Sequence, residues 1–289
     1  LKRIFVTGAD KALGKTIITK SLAKGFEVHV FESEHVISSL DDNIRHLPVR
    51  HNIAHNDMFE LRLLWQKLDI VVHSDIYRHF DSYDARDVYD HNVGMTEFYV
   101  NLALESGIQN FVFVSSAFVF QQAKDLNTLI DENTELIRLS GKGLGNSILR
   151  AELEVWRASA EGLPVRVLNP SILIGDECGS NDLIAFLKKH SGFSFPGSNG
   201  FVELDSVARS VIESLHKGHK SGRQIINTKN QPYNQLTELK SSSLILKRNN
   251  RIAPALYKYA KWLIYKISNR RHALSYPSFR LLYENMSYK

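Results

Sequence analysis

The chain has 289 residues, 43% of them hydrophobic and 10% aromatic, enough to bury a full core as one large domain or as a domain with a lobe. Its single cysteine, Cys178, excludes an internal disulfide framework and suits a reducing compartment, and no Cys/His cluster has zinc spacing. The net charge of +5 is unevenly placed: residues 241–289 hold ten Lys/Arg against one acid, Glu284, so a basic tail follows an acidic body.

Short runs rich in Val, Ile and Phe alternate with helix-length segments. Arg3 to Thr7, Glu27 to Glu32, Asp69 to His73, Asn110 to Ser115 and Pro164 to Asn169 are expected as strands. The first helix is expected from Leu13 to Lys24, with Ile17, Ile18 and Leu22 facing the sheet and Gly25 stopping it. This alternation predicts an α/β fold built on a doubly wound parallel sheet. Nowhere do roughly 18 apolar residues run together, so neither a secretory signal nor a spanning helix is expected, and the expected location is cytoplasmic. Leu at position 1 implies a trimmed start.

The turn after the first strand, "VTGADKALGKT" (residues 6–16), admits two readings. Gly14-Lys15-Thr16 has the composition that closes a nucleotide triphosphate loop, whereas Thr7-Gly8-Ala9 opens a dinucleotide-binding turn. A triphosphate loop has about four residues between its first Gly and the Gly-Lys-Thr. Gly8 and Gly14 have five between them. That spacing resembles the variant loop of dethiobiotin synthetases, which keeps an ATP-binding reading as a distant alternative.

Seven blocks in order weigh against it: "FVTGADKALG", "LDIVVHSD", "NVGMTEF", "NFVFVSSAFVF", "GLPVRVLNPSILIG", "FVELDSVARSVIESL" and "INTKNQP". Together they resemble the short-chain dehydrogenase/reductase superfamily, especially its extended, epimerase/dehydratase-like and hydroxysteroid-dehydrogenase-like members. The resemblance implies a Rossmann-like doubly wound sheet with a small C-terminal substrate lobe. Residues 1–170 would form the dinucleotide-binding domain. Residues 171–289 would contribute the last sheet elements, the lobe and the basic tail.

Further implications concern NAD, or NADP, as cofactor. Thr7, Gly8, Lys11, Ala12, Leu13 and Gly14 would form the turn, with the helix N-terminus facing the diphosphate. Glu32 matches the acid that binds the ribose hydroxyls of NAD. Lys11 stands where NADP-using members often carry Lys or Arg; Glu32 would repel a 2′-phosphate, so NAD is favoured, and a solvated loop position for Lys11 stands level with a cofactor role. Asn52 and Ile53 would meet the adenine, and His73, Ser115 and Pro170 would complete the cofactor site. Ser116 falls at the family's catalytic serine.

The departure from the family comes at "GKGLGNSILRAELEVW". Counting back from Ala151-Glu152 puts Leu144 at the family's tyrosine and Ile148 at its lysine, and no tyrosine occurs between Tyr99 and Tyr233. Neither Leu nor Ile has a proton to transfer. Lys142, Asp75, Tyr77, Tyr83 and Tyr89 are candidates to substitute, with nothing in the spacing to select one. The expectation is therefore a degenerate NAD(P)-binding protein acting as sensor, scaffold or partner subunit. The alternative is an epimerase/dehydratase or reductase with a nonstandard acid/base, acting on a sugar-nucleotide or lipid-like carbonyl compound.

No metal is expected, since His51 and His55 with Asp57 lie at a strand-to-loop junction rather than on a helix. In the tail, residues 254–268, "PALYKYAKWLIYKIS", place Leu256, Ala260, Leu263, Ile264 and Ile267 at helical spacing beside Lys258, Lys261 and Lys266. That pattern suits a helix lying peripherally on an anionic membrane, and equally a substrate-lobe helix. No nucleic-acid motif is present. The resemblance implies a homodimer, beside a dinucleotide and an unidentified small-molecule substrate or protein partner.

Overall fold

The computed structural model describes residues 2–31, 44–47, 61–62, 64–77, 85–121, 128–139, 144–175, 183, 197–215, 221–235 and 285–289. Glu32, Asn52, Ile53, Tyr83, Lys142, Cys178 and the 254–268 segment lie outside these residues, as do His51, His55 and Asp57.

Seven strands form one parallel sheet. In chain order they are β1 (Arg3–Val6), β2 (Glu27–Phe31), β3 (Ile44–Leu47), β4 (Ile70–His73), β5 (Asn110–Val114), β6 (Val165–Pro170) and, later in the chain, β9 (Gly222–Ile226). Their spatial order is β3-β2-β1-β4-β5-β6-β9, which reverses direction between β1 and β4. The five strands expected from sequence all form, with ends shifted by a residue where they meet turns. Pro164 drops out of β6 and Pro170 enters it, paired with Ile226 at the strand end, where Ser171 N–H donates to the Ile226 carbonyl at 3.0 Å.

Helix α1 (Ala12–Ala23) follows β1 and stops before Gly25. After β4 come α2 (Ala85–Tyr89), a π-helical turn over Asp90–Gly94, and α3 (Met95–Ser106). Helix α4 (Leu144–Ala160) precedes β6, and α5 (Leu204–Ser214) precedes β9.

Alternation along the strands divides the core into two layers. Phe111 and Phe113 of β5, with Phe5 of β1, face a cluster holding Trp65, Tyr99, Ile148 and Val155. Val112 and Val114, with Ile4 and Val6, face the opposite cluster with Ile17, Ile18, Val207 and Val211. Both strand faces are covered, which is why "FVFV" reads as an unbroken apolar run rather than an alternating one. Aromatic rings fill the first layer, with Phe5 4.7 Å from Phe31 and 5.0 Å from Trp65, and Trp65 stacked parallel to Tyr99 at 6.1 Å.

A second, four-stranded sheet stands beside the first. It is centred on β8 (Ser198–Glu203), which pairs parallel with β7 (Ile172–Ile174), antiparallel with β10 (Lys229–Pro232) and parallel with β11 (Asn285–Met286). The strand β11 is held by more than its ladder. Ser198 Oγ donates to Asn285 Oδ1 at 2.9 Å, Tyr288 is buried, and the Ile130 backbone bonds Ser287 and Lys289 on either side. No helix among the described residues is long and apolar enough to cross a membrane.

Candidate functional site

The reversal of strand order between β1 and β4 opens a crevice at their carboxyl ends, the place where open α/β sheets bind ligands. One lip is the turn after β1. Gly8 adopts φ +70°, a left-handed conformation that glycine takes without strain. A β-carbon at Gly8 would lie 3.2 Å from Asp75 Cα, so turn and opposite lip nearly touch. At Gly14 a β-carbon would lie 2.6 Å from the Gly8 carbonyl carbon and 3.1 Å from Ala9 N. Only glycine lets α1 pack on its own turn this closely.

Lys11 N–H donates to the Gly8 carbonyl at 3.0 Å, and the helical ladder begins with Lys15 N–H to Lys11 O at 2.9 Å. The amides of Ala12, Leu13 and Gly14 therefore precede the ladder and point along the helix axis toward the crevice. No acid occupies the first turn of α1. A dinucleotide's diphosphate fits this cradle, which the two glycines keep open and the helix end keeps positive. Gly14, Lys15 and Thr16 already lie within α1, and Thr16 Oγ1 donates to the Ala12 carbonyl at 2.9 Å. A triphosphate loop needs that hydroxyl for a metal ion instead.

Thr7, His73 and Thr96 hold the turn from beneath. Thr7 Oγ1 lies 2.8 Å from His73 Nδ1, and His73 Nε2 lies 2.9 Å from Thr96 Oγ1. Since Thr96 gives its hydrogen to the Asn92 carbonyl at 2.6 Å, it accepts from Nε2–H, and Nδ1 accepts from Thr7. Thr7 Oγ1 also accepts from the amides of Ser74 and Asp75, at 3.0 and 3.1 Å. Thr7 and His73, assigned to the cofactor from sequence, are thus buried staples that align the two lips. Leu13 likewise sends its side chain into the core.

The opposite lip is the segment after β4, Ser74 to Tyr77. Asp75 pairs with Lys11 across the crevice, and Lys11 Nζ sits 4.6 Å from the centre of the Tyr77 ring. The Tyr77 ring stacks flat on His91 of the π turn at 3.6 Å, and His91 Nε2 lies 3.4 Å from Asp75 Oδ1. Lys11 is therefore engaged across the crevice, where the sequence left a cofactor role and a solvated loop position equally open. The acid opposite it, two residues beyond β4, was not foreseen as its partner. Burial opposes ionisation of Asp75, but His91 and the Lys11 charge outweigh it and hold the carboxyl well below the usual range.

This depression has a consequence for stability. Asp75 stabilises the fold fully above its ordinary value of 3.8, and that contribution disappears as pH falls below it toward the folded-state value. Chemical denaturation of Asp75→Asn is expected to show lower stability than the parent at neutral pH, with the gap narrowing progressively as pH falls below about 4.

Asn92, also on the π turn, links this lip to α4. Its Oδ1 accepts from Tyr77 N–H at 2.7 Å, and its Nδ2 donates to Ser147 Oγ at 3.1 Å. π turns of this kind are often found at functional sites.

Ser116 follows β5 and caps a short 3-10 turn, Ala117–Val119, by accepting from Phe118 N–H at 3.3 Å. That bond uses an oxygen lone pair and leaves the hydroxyl hydrogen available for donation. The first turn of α4 presses on the same segment, a β-carbon at Gly145 falling 2.6 Å from the Phe118 carbonyl oxygen. Leu144 opens that turn. Ile148, one turn on, is completely buried in the apolar layer with Leu149, Ala151 and Val155.

Behind Ser116 lies a polar network that the sequence did not disclose. Glu152 is fully buried. Its Oε2 accepts from Ser115 Oγ at 2.6 Å and Asn169 Nδ2 at 2.9 Å; its Oε1 accepts from Arg223 Nε at 2.9 Å and Trp156 Nε1 at 3.1 Å. The Arg223 guanidinium packs over Phe120 and Trp156. Ser115 was expected at the cofactor, but its hydroxyl is committed to Glu152. Asn169 Nδ2 also donates to the Ser116 carbonyl at 3.2 Å. The sequence signal was available: Glu152 falls four residues after Ile148 and three before Val155, inside the apolar stripe of α4. Among the described residues, no group of three or more His, Cys, Asp or Glu could hold a metal ion.

A family model for the NAD dependent epimerase/dehydratase family matches residues 4–188. Sterol-4-alpha-carboxylate 3-dehydrogenase, decarboxylating, from Dictyostelium discoideum is 24% identical over 135 residues, covering 46% of this chain and 40% of that protein. The match thus spans under half of the relative's length. Among solved structures, gox2253 superposes with a TM-score of 0.77 at 18% identity, covering 100% of this chain and 90% of its own. The dTDP-glucose 4,6-dehydratase from Bacillus anthracis in complex with NAD gives 0.65 at 17% identity, over 80% and 77% of the two chains. MoeE5 in complex with UDP-glucose and NAD gives 0.66 at 18%, over 80% and 78%. These likenesses show the fold.

Proposed function

The chain belongs to the NAD dependent epimerase/dehydratase family, and from that premise we propose that it binds NAD or NADP without ordinary tyrosine–lysine hydride chemistry, as a sensor, scaffold or partner subunit. When bound, such a cofactor supplies a nicotinamide that takes or gives hydride. The chain's part is to seat the diphosphate on the Gly8–Gly14 turn and to align both lips through Thr7 and His73. One observation carries the proposal beyond the family: Ile148, which counting along the sequence puts at the family's lysine, is fully buried. No ammonium at that position meets the ribose or lowers the pKa of a neighbouring phenol, and Leu144 supplies no phenol.

Isothermal titration with NAD, NADH, NADP, NADPH and Mg-ATP tests this reading. Binding of a dinucleotide but not ATP is expected, with no NADH oxidation in the presence of nucleotide sugars or carbonyl lipids. Sustained oxidation would overturn the degenerate reading, and binding of ATP alone would overturn the cofactor.

A second reading, a working epimerase, dehydratase or reductase, is favoured by the retained Ser116 and by the Asp75, Tyr77 and His91 cluster at the crevice. These groups could move a proton from a nonstandard position. Rebuilding half of the family pair is not expected to help. Ile148→Lys would bury an ammonium among apolar side chains, lowering stability by roughly 2–4 kcal/mol in a chemical melt without gain in cofactor affinity.

A further inference from the structure

Lys11 belongs to one lip of the crevice and Asp75 to the other, so their ion pair spans the switch point between β1 and β4. The approach is close: Asp75 Cα lies 3.2 Å from the position a Gly8 β-carbon would take. A diphosphate seated on the turn would therefore lie against the Asp75 carboxylate, like charge on like charge. The same carboxylate holds the nearest cation on the turn. We propose that the Lys11–Asp75 pair is a clasp across the crevice: the dinucleotide must open it, and Asp75 sets cofactor affinity by opposing it. This rests on the cofactor reading above.

The clasp is backed on both sides. Tyr77 lies between Lys11 and His91, 4.6 Å from the ammonium and stacked at 3.6 Å on the imidazole. Asn92 fixes the Tyr77 backbone through both halves of its amide, at 2.7 and 3.1 Å. The Asp75 amide is tied to Thr7 Oγ1 at 3.1 Å, so the backbone that carries the carboxylate is anchored to the staple under the turn. When the clasp opens, Lys11 turns to the diphosphate and Asp75 stays beside His91.

The test is calorimetric titration of NAD, ADP and adenosine into the parent chain, Asp75→Asn, Asp75→Ala and Lys11→Gln, each first checked for a cooperative melt. Both Asp75 variants are expected to bind NAD and ADP about tenfold more tightly, and adenosine unchanged, because only the phosphates meet the carboxylate. Lys11→Gln is expected to weaken NAD and ADP. Unchanged or weaker NAD binding by a folded Asp75 variant overturns the clasp while leaving the cofactor reading intact. An equal gain for adenosine also overturns it, since the effect would then not be one of charge. If the parent and every variant fail to bind any dinucleotide, the cofactor reading falls and the clasp with it.

Discussion

Gly14→Val is expected to abolish dinucleotide binding and to destabilise the chain more than any other single change at the turn. The added β-carbon would fall 2.6 Å from the Gly8 carbonyl carbon and closer still to its oxygen. Neither atom is the end of a flexible side chain. Relief would require α1 to move off the turn, and α1 carries Ile17 and Ile18, both buried in the layer between β1 and α5. Displacing them is a core defect, costing of order 3–5 kcal/mol. Calorimetry and a denaturant titration read the two effects separately. Retained NAD binding in a folded Gly14→Val protein would show that the ligand does not use this turn.

Glu152→Ala is expected to be the most damaging substitution away from the turn. The carboxylate fills its acceptor sites from Ser115, Asn169, Trp156 and Arg223, and the fully buried Ser115 and Asn169 lose their acceptor when it is removed. Breaking a buried ion pair from one side leaves the other charge stranded, at a cost of about 3–5 kcal/mol. Arg223, only 16% exposed, is that stranded charge. The matched pair Glu152→Leu with Arg223→Leu should recover much of the loss, because replacing both partners removes the uncompensated charge. A denaturation cycle over the four proteins checks this; equal and additive losses would mean the ion pair is not the relevant unit.

The two cases differ in how far the sequence announced them. Gly14 was readable because close packing of helix on strand needs glycine at a fixed offset from Gly8, a constraint local to one turn. The strands were readable for a related reason: β5 is covered on both faces, so its composition alone marks it. Glu152 and Arg223 lie 71 residues apart, and no local pattern joins a helix position to a strand across the sheet. The Lys11–Asp75 pair was hidden likewise, 64 residues apart and brought together only by the adjacency of β1 and β4. Each residue was visible singly, and Lys11 stayed open between cofactor role and solvated position because sequence shows a charge but not what faces it. Ile148 was placed by counting, and the structure adds that its side chain is fully buried among apolar neighbours.

The second sheet separates in time what it joins in space. Its central strand meets β11 through Ser198 and Asn285, 87 residues apart. The strands from β1 to β6 emerge and can pair before either end of that contact is complete, whereas β8 must wait for a segment 87 residues further along the chain. During synthesis the crevice between β1 and β4 is thus an early structure, and the lobe beside it a late one. A nascent chain halted before Asn285 would carry the Gly8–Gly14 turn with one edge of β8 still bare, a template for a foreign strand.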